Sequence, residues 1–157
     1  MVPAAHRRRH EQWLLEVTGL PTAAGREHRV IAWATRFCGR RKDLRLATDP
    51  HGDLVITQKR RSARQAIWIT AHLDHPAFVV RSVLDERHIE LEFRGGVANP
   101  YFEDAEIEVF DDQDTCTRGL ITKLDADAKP FKRVTARVSS AKDIVAGDVG
   151  RWHLGNP

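Results

Sequence analysis

Six short runs rich in apolar residues follow Pro76, and turn signals punctuate them; no other feature restricts the fold as strongly. The runs are Phe78–Leu84, His88–Phe93, Glu106–Phe110, Thr117–Leu124, Arg133–Val138 and Val149–Leu154. Asp85-Glu86, Gly95-Gly96, Asp111-Asp112-Gln113-Asp114 and Ala146-Gly147-Asp148 separate them. Side chains alternate between the two faces of a strand, so Ile107 and Val109 against Glu106 and Glu108 mark a half-buried one. Several strands of this length and spacing predict a small antiparallel barrel or sandwich. Asp111, Asp112 and Asp114 lack the Gly and terminal Glu of an EF-hand, which favours a hairpin turn over a cation loop. Gly95-Gly96 follows a strand without opening a helix and reads as a turn, not a phosphate cradle.

Upstream of Pro76 the periodicity is different. Trp13, Leu14 and Val17 form one stripe of a helix that should stop near Thr18-Gly19, ahead of Pro21. Val30, Ile31, Ala34, Phe37 and Cys38 recur with amphipathic helical spacing, with Gly39 as the stop and Thr22 as a candidate cap. Leu44–Thr48 and Leu54–Thr57 then flank Asp49-Pro50-His51-Gly52, a hairpin turn in which Pro fixes φ and Gly permits a positive φ. A charged connection, Lys59–Arg64, leads into Ala66–Ala71, read as a buried strand. The predicted organisation is helix, helix, hairpin and buried strand in residues 1–76, then an all-β unit in residues 77–154.

His72 and Asp74 follow that strand at i and i+2, which on an extended chain places both on one face. A carboxylate beside an imidazole accepts its spare N–H and turns the other nitrogen toward a metal. The residues alone leave two readings open: the corner of a metal site, or a core histidine satisfied by its neighbour. His28, His51 and His88 are scattered and read as solvated, and His153 as a surface residue of the last strand. His6 and His10 have i, i+4 spacing without a supporting Glu-x-x-His. Cys38 lies on the apolar face of the second helix, with nothing to activate it as a nucleophile.

Charge is unevenly distributed. Residues 1–64 carry 14 Lys and Arg against 6 Asp and Glu, and the remainder 11 against 16. The basic stretches Arg7–Arg9, Arg40–Lys42 and Lys59–Arg64 have no interleaved aromatics, so solvated helix faces are favoured over nucleic-acid contact. No apolar run approaches the roughly 18–20 residues of a membrane span, and the basic amino terminus has no apolar run after it of the kind a secretory signal has. Two cysteines without C-x-x-C spacing suit reduced thiols in the cytoplasm.

The order of these segments resembles the amino-terminal portion of the zinc-dependent exopeptidases, and most closely the deblocking and glutamyl aminopeptidases. Leu20-Pro21-Thr22-Ala23-Ala24-Gly25-Arg26-Glu27 is similar to the family's opening Pro-x-x-Ser-Gly-x-Glu, with Ala24 in place of Ser. Asp49-Pro50-His51-Gly52-Asp53-Leu54 is similar to its Asp-x-x-Gly-Asn-Leu hairpin. Ala71-His72-Leu73-Asp74-His75-Pro76-Ala77-Phe78 is similar to Ala-His-x-Asp-Glu-x-Gly-Phe. Phe93-Arg94-Gly95-Gly96-Val97 and Ala146-Gly147-Asp148-Val149 resemble two of its turns.

The resemblance implies an α/β fold: part of an exopeptidase α/β domain followed by an inserted antiparallel β-barrel. It makes His72 a zinc ligand and Asp74 the carboxylate of the catalytic machinery that orients it. The complete family site holds two zinc ions, and its bridging Asp, Glu pair and further ligands have no counterpart in this sequence. It also implies peptide substrates, with a homo-oligomer or a complementing catalytic segment as partner, and neither nucleic acid nor membrane. The resulting expectation is the amino-terminal segment of a metal-dependent aminopeptidase, inactive as the isolated chain. The alternative is a non-catalytic binding or assembly module of the same descent.

Overall fold

A computed structural model describes residues 3–59, 67–153 and 155. The chain divides into two units: residues 1–20 with 27–73, and residues 21–26 with 74–157.

The first unit begins with helix α1, Ala4–Thr18, and helix α2, His28–Gly39. Gly19 caps α1, its N–H bonding back to Leu15 O, so the helix stops where the sequence predicts. Val30, Ala34 and Cys38 form the buried face of α2. Trp13 of α1 meets Phe37 of α2 edge to face at 5.1 Å, and Arg41 stacks 3.4 Å from the centre of the Phe37 ring. Thr22 does not cap α2. Glu27 precedes that helix without a side-chain cap, and the Thr22 hydroxyl donates to Arg26 O instead. Strands β1, Leu44–Thr48, and β2, Leu54–Gln58, form the antiparallel hairpin. Its turn is fastened by Asp49, whose Oδ1 accepts from His51 N and Asp53 N at 2.8 and 2.9 Å.

The second unit is a closed antiparallel barrel, the first of the two predicted architectures. Its strands are β3 (Ala77–Val83), β4 (His88–Arg94), β5 (Glu106–Phe110), β6 (Cys116–Asp125), β7 (Lys132–Val138) and β8 (Val149–Trp152). They run β3-β4-β7-β6-β5-β8 around the barrel, and β8 closes on β3 with Phe78 opposite Gly150. Alternate residues point inward and fill it, including Phe78, Val80, Ile89, Leu91, Ile107, Val109, Val134 and Ala136. A 3₁₀ turn over Asn99–Phe102 contributes Phe102, which packs with Phe78, Phe93 and Trp152 at ring separations of 4.9 to 6.0 Å. The aspartates between β5 and β6 form the expected turn, with Asp111 Oδ1 accepting from Gln113 N and Thr115 N.

Strand β3 departs from half-burial: Ala77, Phe78, Val79 and Val80 are all buried. Phe78 and Val80 belong to the interior, so Ala77 and Val79 face outward and need a cover. Residues 21–26 supply it, through Ala23 packed with Ala77, Val79 and Val149.

Candidate functional site

The apolar run ahead of His72 is the main departure from expectation. Ala66 lies outside the described residues, as do residues 60–64 of the charged connection. Residues 67–71 form no strand and are exposed, with Ile67 91 %, Trp68 73 % and Ile69 90 % accessible. The sequence has strand character, but a buried parallel-type strand needs hydrogen-bonded neighbours on both edges and covered faces. Among the described residues, the only sheet outside the barrel is the β1–β2 hairpin.

His72 is exposed and Asp74 half-buried, and neither belongs to a strand. The i, i+2 argument for a shared face therefore has no strand to act on. A catalytic zinc takes about three protein ligands and an open position. Among the described residues no three His, Cys, Asp or Glu side chains are gathered so as to hold a metal. The described residues do not by themselves fit a catalytic ion.

Three of the motifs do meet in space, at the docked segment on the barrel. Arg94, from Phe93–Val97, reaches back with Nη1 2.6 Å from Ala24 O, and its Nη2 pairs with Glu92 at 3.2 Å. Gly147 adopts φ 102°, and a Cβ there would stand 2.6 Å from the Arg26 guanidinium. The positive φ favours glycine at that turn, and any larger side chain would also have to displace the end of Arg26. Asp148 is buried; its Oδ2 accepts from Val145 N at 2.9 Å while its carbonyl accepts from Val80 N. These motifs fasten residues 21–26 to β3 and β8, which is a positioning role rather than chemistry.

The ionic cluster around Glu108 escaped the sequence reading. Glu108 accepts from Arg151 at 3.0 Å and lies 2.8 Å from His153 Nδ1. His153 is thus half-buried and partnered rather than a free surface residue. Burial acts to raise the Glu108 carboxyl, but hydrogen bonds from His153 and Arg151 and the arginine charge outweigh it and leave it lowered. The only advance signal is the alternation that puts Glu108 outward; its partner depends on the β5–β8 register, Glu108 opposite Arg151. His88 likewise has a partner, Asp85, at 2.9 Å. Neither thiol is activated: burial raises both Cys38 and Cys116.

The family model for M42 glutamyl aminopeptidases matches residues 52–146, more than half of the chain. The chain belongs to this family. Its fold is also similar to an aminopeptidase from the archaeon Desulfurococcus kamchatkensis, at 19 % identity and a TM-score of 0.70. That match covers 94 % of this chain and 44 % of the archaeal protein, so the chain spans less than half its length. No curated protein sequence matches. Two helices, a hairpin and a closed six-stranded barrel match part of that aminopeptidase in fold. Among the described residues, no helix is long and apolar enough to cross a membrane.

Proposed function

We propose that this chain is the amino-terminal segment of a metal-dependent aminopeptidase-type hydrolase, one that removes N-terminal residues from peptides. The family match across residues 52–146 carries the reading. Residues 1–76 are taken as part of the α/β peptidase domain and 77–154 as its inserted barrel. His72 is the zinc ligand this segment contributes, and Asp74 is the carboxylate that orients its imidazole. One ligand is too few for a catalytic ion, so residues beyond those described would have to complete the site. The two free thiols suit a cytoplasmic setting.

The isolated 157-residue chain is accordingly proposed to be inactive. The test is aminopeptidase turnover of aminoacyl anilides by the purified chain, with zinc added and then removed by chelator. No turnover above background is expected; a rate that the chelator abolishes overturns the proposal. The second reading, a non-catalytic assembly module, is favoured by the closure of the barrel around its own core. Defined oligomers formed without turnover would support it.

A further inference from the structure

Arg87, Arg118 and Arg137 line one surface pocket of the barrel, about 450 Å³ in volume, with Gly119, Ser139 and Glu106. They come from the turn before β4, from β6 and from β7, and the backbone brings these stretches together. Val138 N donates to Arg87 O at 2.8 Å, Ser139 N to Arg118 O at 3.3 Å, and Arg137 stands opposite Leu120. Gly119 permits the approach, since a Cβ there would lie 2.9 Å from Val138 Cγ1 and 3.0 Å from Arg137 O.

All three arginines are exposed. Their guanidinium groups make no hydrogen bond or ion pair with any described residue. Elsewhere on the barrel Arg81 pairs with Glu90, Arg94 with Glu92 and Arg151 with Glu108, and Arg133 of β7 stands alone rather than in a group. Glu106 shares the pocket without pairing to any of them, so three positive charges face one negative one.

We propose that this pocket binds a tetrahedral dianionic oxyanion of the phosphate class. Like charges gathered without partners repel one another, and an anion between them relieves that repulsion. A guanidinium offers its N–H donors as a planar fork. A carboxylate presents two oxygens and is satisfied by one such fork; a phosphate presents oxygens in several directions and suits donors arriving from two strands and a turn. The Ser139 hydroxyl adds a neutral donor. The Glu106 carboxylate opposes the anion and weakens its binding.

The test is isothermal titration of the full chain with inorganic phosphate, with glutarate and phosphatidate vesicles as comparisons. Saturable phosphate binding that weakens from about 50 to about 200 mM salt is expected. Arg118→Gln and Arg137→Gln should each lower the affinity about tenfold, roughly the loss of one charge-assisted contact. Glu106→Gln should tighten binding, an effect of opposite sign that no loss of fold would imitate. Arg81→Gln, outside the pocket, should leave it unchanged. The proposal is overturned by no saturable binding, by arginine variants that bind like the parent, by glutarate binding tighter than phosphate, or by binding to vesicles alone.

Discussion

Ala23→Asp tests whether residues 21–26 are a strap docked on the barrel or part of its core. Ala23 is fully buried among Ala77, Val79 and Val149, a cluster distinct from the barrel interior. A carboxylate there has only apolar neighbours in that cluster, and burying it unpaired costs several kcal/mol, about 3–5. Lifting the strap instead exposes the outer faces of Val79 and Val149, worth about 3–5 kcal/mol together. It also breaks the charged hydrogen bond from Arg94 to Ala24 O, worth about 1.5–3 kcal/mol. Docking thus contributes roughly 5–8 kcal/mol, most of which the substitution offsets. The aspartate should therefore leave the strap held by only a few kcal/mol, opening far more often, while the interior around Phe78, Leu91 and Phe102 stays packed. Hydrogen exchange followed by mass spectrometry reads this directly. Exchange across residues 21–26, including the Arg26 amide now bonded to Ala23 O, should accelerate about a hundredfold or more. Strands β4 to β7 should keep their protection. Exchange within about threefold of the parent, or loss of protection throughout the barrel, would refute the reasoning.

Two further outcomes follow from the barrel itself. Phe78→Ala removes a fully buried ring that touches three others, and should lower the urea unfolding free energy by about 3–5 kcal/mol. A loss under about 1 kcal/mol would mean that the aromatic cluster does not hold the barrel closed. Glu108→Gln removes a carboxylate whose folded-state pKa is lowered, so the parent's advantage is present above the unfolded value, about 4.3. That advantage should shrink as pH falls below the unfolded value through the lower folded one. Urea unfolding of both proteins across that range checks it, and an advantage that grows on acidification contradicts the assignment.

Local pattern carried most of the fold. Alternation placed β5 where it lies, and the amphipathic spacing of Val30, Ala34 and Cys38 placed α2. The signal at Ile67-Trp68-Ile69 was equally strong and misled, because a buried strand is a property of its neighbours as much as of its own residues. His72 and Asp74 were picked out by residue type and spacing, and the shared strand face that spacing implied is absent. Thr22-Ala23-Ala24 are too small to announce a docked strap; only the burial of both faces of β3 reveals it. The Glu108 cluster and the three-arginine pocket each depend on strand register, which no single segment encodes.

The pairing of β3 with β8 has a consequence for how such a barrel is passed between proteins. The chain enters at Ala77 and leaves after Trp152, and these two strands are antiparallel hydrogen-bonded neighbours. Entry and exit therefore stand side by side, about one strand spacing of 4.8 Å apart. A host loop needs only a narrow gap to accept such a module, and the closed sheet brings no free edge with it. Grafting the barrel would take one further piece, the strap of residues 21–26, because a cut at these two points alone would bare the outer faces of Ala77, Val79 and Val149.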